Sequence, residues 1–311
     1  MKNVTLRQLH SILAIRRTGK ISAAAEQIGL TGPAVTLQLQ QLEDQAGVTL
    51  FDRGRGGMRP TAAGEAALRA AQDIEARLRQ LFEEIETISE ANAGQLRIGA
   101  VSTAKYFAPT LMAVFRDLHP RVNISLTVGN RGAIIEALRD YEIDIALMGR
   151  PPRDFSVRAQ IFGDHPLVII AHPSHPLAQR HNISKDDLLG ETFLVRETGS
   201  GTRSSLDIFM SDVAGWTERR HAEMTSNETI KQAVMAGIGI AFISAHTIAM
   251  ELELGRLVVL DVIGMPIRRQ WYLVSRSDRS ISPTMAAFNQ FLIDQGARHL
   301  PMIRTIYSEA D

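Results

Sequence analysis

One change of rhythm divides this chain. Up to about Ala91 the apolar residues recur at helical spacing; after Asn92-Ala93-Gly94 they come in short β-type runs separated by helical stretches. A chain with that break folds as an all-α N-terminal part followed by an α/β part, because periods of 3.6 and 2 cannot share one element. Its 311 residues leave room for two or three units.

Within the first part, Leu6, Leu9, Ile12, Leu13 and Ile15 mark a helix capped by Thr5 and ended by Gly19. Ser22 is the expected cap of a short helix, Ala23 to Ile28, which stops at Gly29. Thr31 caps a third, with Pro33 in its first turn and Val35, Leu39 and Leu42 along one side. Two short helices joined by a tight Gly-Leu-Thr turn make a helix-turn-helix. Leu50-Phe51 and Met58-Arg59, flanking a glycine-rich loop, make a two-stranded wing. A longer helix then runs from a Thr61 cap to about Ala91. Ala67, Ala71, Ile74, Leu78, Leu81, Ile85 and Ile88 form a heptad seam on it, which a rod of that length buries against a second copy of the chain.

From residue 94 the order β-α-β-α-β, repeated after Pro166, predicts a mostly parallel, doubly wound sheet in two lobes. Two crossovers between the lobes make a hinged cleft. The expected units are therefore a winged helix-turn-helix at 1–60, a linker and dimerisation helix at 61–93, and a two-lobed, periplasmic-binding-protein-like domain at 94–311. Lobe I takes about 94–162 and 267–300, and lobe II about 163–266.

Formal net charge is zero, yet its distribution is uneven. Residues 1–60 carry eight basic and four acidic side chains, a net of +4, and residues 61–93 carry three and seven, a net of −4. A basic head followed by an acidic helix fits a chain whose head alone meets phosphate. Without cysteine there are no disulfides, thiolate metal sites or thiol chemistry. No apolar run reaches the roughly 18 residues of a membrane span, and the N-terminus has no apolar leader, so a cytoplasmic protein with no membrane partner is expected.

Binding DNA requires a helix that offers its N-terminal residues to the major groove, with cations on the flanking phosphates. Thr31, Pro33, Thr36 and Gln38 are placed early on the third helix, read as lying opposite its apolar side; Arg53, Arg55 and Arg59 sit on the wing. These seven are the candidate contacts to double-stranded DNA. The runs Leu6-Arg7-Gln8-Leu9, Ser22 to Ile28, Thr31-Gly32-Pro33-Ala34-Val35-Thr36, Leu42-Glu43-Asp44 and Gly47 to Arg53 resemble LysR-type transcriptional regulators, and the likeness extends over the whole chain. It departs at Gly32, where the family commonly has Gln, at Leu37, often Arg, and at Pro60-Thr61-Ala62, usually Leu-Thr-Pro. The resemblance implies a homo-oligomer, a dimer or tetramer, that binds operator DNA and a small-molecule effector and is not an enzyme. Further runs, Val101 to Pro109, Met148 to Pro152, Val195 to Arg203, Ser226 to Gly237 and Arg269 to Tyr272, resemble the branch of that family that activates Calvin-cycle (RuBisCO) operons. That branch implies sensing of a phosphorylated metabolite or NADPH.

The cleft can also be read from its residues. In open α/β sheets ligands sit beyond the carboxyl ends of strands, where helix N-termini point. Ser102 and Thr103 follow the first strand of the lobed domain and are read as opening its helix; Asn130 and Arg131 follow the second, and Arg150 the third. Thr198, Ser200, Gly201 and Thr202 lead into a helix of the other lobe, and Asn227 opens the next. With Lys105, Arg196 and Arg203 nearby, these residues describe an anion site with no metal and no tightly held cofactor. The alternatives are a regulator of another metabolic operon and a two-lobed anion-binding protein without a regulatory role. Enzyme motifs are missing: there is no GxSxG, HExxH or P-loop, and Gly199 to Arg203 lacks GxGxxG spacing. His165, His172 and His175 each precede a proline and are read as surface-loop histidines.

Overall fold

The computed structural model describes residues 4–54, 57–89, 94–216 and 221–303, and the chain divides into two compact units, Met1–Glu84 and Ile85–Asp311. In the first unit α1 (Leu6–Thr18), α2 (Ile21–Gln27) and α3 (Gly32–Ala46) precede a hairpin of β1 (Phe51–Gly54) and β2 (Gly57–Pro60), and α4 (Ala62–Ser89) follows. The Thr5 capping box and the left-handed Gly19 bound α1 as the sequence implies. Helix α2 opens two residues earlier than a Ser22 cap would set it, from Lys20, and no side chain caps it. Its Ala24 and Ala25 are buried in one core with Leu9, Ile12, Leu13, Val35, Leu39, Leu42 and Leu68.

Two contacts fix the wing to the helices. The Glu43 carboxylate on α3 accepts from the amides of Leu50 (2.7 Å) and Phe51 (3.2 Å), holding the start of β1. At the other strand Met58 N–H donates to the Gly19 carbonyl (2.8 Å). Gly57 sits there at φ 106°, and a Cβ on it would stand 2.4 Å from the Gly19 oxygen, so no other residue fits unstrained. Along α4 the seam changes role. Ala67 and Ala71 pack into the head's own core, whereas Ile74, Leu81 and Phe82 are exposed. The side chains of Ile85 and Ile88, and the Asn92-Ala93 hinge, lie outside the described residues.

The second unit is built on a nine-stranded sheet in the order β4-β3-β5-β11-β6-β9-β7-β8, with β10 on β6. Strands β3 (Gly94–Val101), β4 (Val122–Gly129) and β5 (Ile145–Met148) are parallel to one another, as are β7 (Phe193–Arg196), β8 (His221–Met224) and β9 (Ile240–Ser244). Between these sets run β6 (Val157–Ala171) and β11 (Ile267–Arg276), antiparallel and paired along the whole of β11. The sheet is thus mixed rather than mostly parallel, because a chain that leaves one lobe and later returns crosses the joint in both directions. Of the expected lobe boundaries, 162/163 falls inside β6 and 266/267 at the first residue of β11. Helices α5 (Ala108–Leu118), α6 (Arg131–Arg139) and α10 (Pro283–Gln295) accompany the first set; α7 (Gly201–Phe209), α8 (Asn227–Met235), α9 (Ala249–Glu253) and the short β10 (Val258–Val259) accompany the second.

Period-two alternation decides where the cores lie. Leu167 and Ile169 of β6 enter one core of lobe II with Phe193 and Phe242, while Val168 and Ile170 enter the core on the sheet's other face. Lobe I packs around Trp271, Phe107, Phe115 and Phe288. The indole of Trp271 meets the Phe107 ring edge-on at 4.9 Å, lies 3.8 Å from the His165 ring in a stack, and donates Nε1–H to His246 Nδ1 (3.0 Å).

Because Glu43 alone satisfies the two amides that begin the wing, Glu43→Ala should cost about 1–3 kcal/mol, the range for buried donors left without an acceptor. Calorimetry should show a lowered Tm, most of it recovered in Glu43→Gln, which keeps one acceptor oxygen. An unchanged Tm for the alanine variant would show that water replaces the carboxylate.

Candidate functional site

Two surfaces carry the candidate residues. On the head, α3 buries Val35, Leu39 and Leu42 and turns Pro33, Leu37, Gln40, Gln41 and Asp44 outward. Thr31 is the helix cap, its hydroxyl accepting from Ala34 N–H (3.4 Å). The Thr36 hydroxyl donates to the Gly32 carbonyl (3.0 Å). Gln38 corrects the sequence reading: it is half-buried and its side-chain carbonyl accepts from Ser11, which is fully buried on α1. Three residues after Val35 and four before Leu42, position 38 borders the apolar stripe rather than opposing it. On the wing Arg59 is exposed, Arg53 pairs with Met58 in the strand register, and Arg55 lies outside the described residues. Arg16, Arg17 and Lys20 add exposed cations at the end of α1 and the start of α2.

In the second unit a cavity of about 240 Å³ opens between the lobes. Its walls include Ser102, Thr103, Asn130, Arg131 and Arg150 from lobe I, and Ser200, Gly201, Thr202, Ser204 and Ser205 from lobe II. Arg153, Arg269 and His165 complete the polar lining. Four guanidiniums therefore face a space with no carboxylate among its lining residues. Arg131 is pinned by donating to the carbonyls of Arg150 and Pro151 (3.3 Å for the second). Burial, then the neighbouring Arg150, lowers the pKa of Arg131, and the same two causes in the same order lower that of Arg269. The second of these causes is repulsion between guanidiniums, which an anion would relieve.

Lobe II faces these cations with the N-terminus of α7. Its first-turn amides have no intrahelical acceptor, and Ser200, in the N-cap position and buried, makes no side-chain cap. Amides and a helix dipole pointing at an arginine-lined space are complementary to a phosphate or carboxylate. Asn130 caps α6 through its carbonyl (2.9 Å from Ala133 N). Ser102 and Thr103 open a short 3-10 turn ahead of α5, not α5 itself.

Five expected residues do not line this cavity: Lys105, Arg196, Thr198, Arg203 and Asn227. Arg196 is 3 % exposed, and a guanidinium so buried must be matched by charge. Glu197 takes two of its bonds (2.7 and 2.8 Å), Asn227 Oδ1 another (2.5 Å) and Ser102 Oγ two more (3.2 Å), so it ties the lobes together. Arg203 pairs with Asp207 (3.4 Å) and Glu223 (3.9 Å), Lys105 stands 3.8 Å from Glu228, and Thr198 is exposed. Conversely Arg153, Arg269, Ser204, Ser205 and His165 line the cavity without being among the expected ligands. His165 also reverses its expected place: it lies within β6, fully buried, with Nε2 on Ser244 Oγ (3.0 Å) and Nδ1 without a partner. Burial, with His246 and Arg269 nearby, holds its pKa well below 6.5, so the ring is neutral. Among the described residues no group of side chains could hold a metal ion, and no helix is long and apolar enough to cross a membrane.

Comparison with known proteins covers both surfaces. Residues 6–65 match the model of the bacterial regulatory helix-turn-helix protein, lysR family, and residues 89–297 that of the LysR substrate binding domain. The chain is 61 % identical over 307 residues to the HTH-type transcriptional regulator CbbR of Sinorhizobium medicae, covering 99 % of this chain and 98 % of that one. It is 44 % identical to the RuBisCO operon transcriptional regulator of Allochromatium vinosum, over 95 % of this chain and 98 % of that one. The regulatory domain of Synechocystis CcmR, solved in complex with 2-PG, superposes with a TM-score of 0.60 at 34 % identity, over 64 % of this chain and 96 % of that one.

Arg269 adds to the crowding of cations, so Arg269→Met should leave the Tm of the ligand-free protein unchanged or raised, while weakening the binding of inorganic phosphate, the simplest anionic probe, at least about tenfold, as loss of a charge-assisted bond does. Calorimetric titration beside thermal melting measures both. A lowered Tm with intact binding would make Arg269 a structural cation.

Proposed function

This chain belongs to the LysR family of bacterial transcriptional regulators, and from that premise we propose that it controls the genes of CO2 fixation in response to a small phosphorylated anion. The near-complete match to CbbR regulators at up to 61 % identity carries the first half of that reading. The second half rests on the cavity's four arginines and absent carboxylates, together with a relative whose regulatory domain is solved with 2-PG. The protein acts by binding, as a cytoplasmic homo-oligomer. Residues 1–60 read operator DNA, with Thr31, Pro33, Thr36 and the wing residues Arg53, Arg55 and Arg59 at or beside the contact. Residues 61–93 pair two copies, using the exposed stripe of Ile74, Leu81 and Phe82. Two such pairs make a tetramer, and residues 94–311 sense the effector.

The anion bridges the lobes. Arg131, Arg150, Arg153 and Arg269 hold it from one side and the Ser200-Gly201-Thr202 amides and hydroxyls from the other. Ser102 links this event to the lobe joint, because it lines the cavity and also accepts from Arg196. An anion contacting both lobes binds the closed arrangement better than any open one, and that difference in affinity is the free energy available to respace the DNA heads. Phosphorylated effectors, and NADPH through its phosphates, share the chemistry that this cavity selects.

Arg150→Ala should shift the 2-phosphoglycolate dependence of the footprint at least about tenfold to higher concentration, the worth of one charge-assisted contact. Ligand-free affinity for DNA upstream of RuBisCO genes should stay within twofold or so of the wild type, because Arg150 lies outside the head. Quantitative footprinting measures both. Equal loss of both would place Arg150 in the fold rather than the effector site, and binding of the wild type only to other promoters would reassign the operon.

A further inference from the structure

Helix α3 presents to solvent a face that is apolar over its first two turns. At 100° per residue, Pro33, Leu37 and Asp44 point away from the buried stripe of Val35, Leu39 and Leu42, with Gln40 beside them. Leu37 is 54 % exposed, at the centre of that face. The polar side chains of α3 read as base contacts each already hold one hydrogen bond within the head: Thr31 in the helix cap, Thr36 on the Gly32 carbonyl, and Gln38 with Ser11. Gln41 accepts from Gln8 Nε2 (3.3 Å). Gln40 is exposed and makes no side-chain hydrogen bond among the described residues.

The edges of the four base pairs offer the major groove many hydrogen-bonding groups and one apolar group, the C5-methyl of thymine. A leucine facing those edges satisfies no donor or acceptor and gains contact only from the apolar group, so the base that carries the methyl suits it best. The exposed cations Lys20 and Arg59 supply phosphate contacts on the same unit without carrying sequence information. Resting on the reading of α3 as the DNA-reading helix, we propose that Leu37 is a specificity-determining residue that packs on a thymine methyl in each half-site.

Leu37 makes no core contact and alanine is a better helix former than leucine, so Leu37→Ala keeps the fold. The experiment takes the full-length protein through selection from a random-sequence duplex library, then replaces each selected thymine by uracil, which deletes only the methyl. Burial of one methyl is worth about fourfold in affinity. The expected result is one thymine per half-site whose replacement weakens wild-type binding about fourfold, and roughly fifteenfold when both half-sites are changed. Leu37→Ala should bind the thymine and uracil duplexes equally and select sites without preference at that position. Leu37→Arg, whose guanidinium suits guanine O6 and N7, should select guanine there. A uracil penalty of the same size in Leu37→Ala, or no uracil penalty at any position, overturns the assignment and leaves DNA binding intact. Failure of the wild type to enrich any sequence overturns the DNA-reading function itself, and this inference with it.

Discussion

The pairing of β6 with β11 is the constraint on which the sensing unit depends. These strands are the connection between two parallel sets that otherwise have separate cores, and they run side by side from Ile267 opposite Leu167 to Arg276 opposite Val157. A register irregularity between Trp271 and Tyr272 marks the passage from one lobe to the other, and Trp271 is locked there by its stack on His165 and its bond to His246. Residues of the same two strands, His165, Leu167 and Arg269, line the cavity. The joint between the lobes and the floor of the ligand site are therefore one piece of structure. A molecule that contacts the floor and both walls would touch the strands that connect the lobes.

Charge compensation then decides which arginines serve which purpose. Arg196 and Arg269 both stand near the ends of cleft strands. The first is buried against Glu197, the next residue in the chain, and its positive charge is cancelled on the spot. The second lines a cavity with no carboxylate among its lining residues, and burial first, then Arg150, lowers its pKa. A guanidinium whose carboxylate is built in braces the fold; one left uncompensated waits for an anion from solution. The same logic explains why Lys105, Arg196 and Arg203, each beside a carboxylate, stand outside the cavity while Arg153 and Arg269 are within it.

The head obeys a parallel rule for hydrogen bonds. Its short helices need caps and its wing needs acceptors, and these demands claim groups that a reader of the sequence would assign to DNA. Thr31 and Thr36 satisfy backbone atoms of their own helix, and Gln38 satisfies a buried serine. Glu43, toward the far end of α3, holds the wing strand to that helix. What remains outward on α3 is a proline, a leucine, two glutamines and, toward its C-terminal end, Asp44, with cations on the neighbouring elements.

Local rules acting over a few residues were legible from the sequence alone. The capping box at Thr5, the left-handed stop at Gly19, the Thr31 and Thr61 caps, the helix from Pro283 to Gln295 and the shift from helical to alternating patterning near residue 94 all follow from spacing and side-chain type. So does much of the cleft's polar lining, since Arg131, Arg150, Ser102, Thr103, Asn130 and the Ser200-Gly201-Thr202 turn lie at strand ends or helix starts. Tertiary structure decided the rest, because it depends on partners far apart in the chain. Arg269 reaches the cavity only because β11 returns antiparallel beside β6, and His165 is buried only because Trp271, more than a hundred residues later, stacks on it. A sequence states which side chains carry charge or a hydrogen-bonding group; folding determines which of those are already matched within the protein and which are left for DNA or an effector.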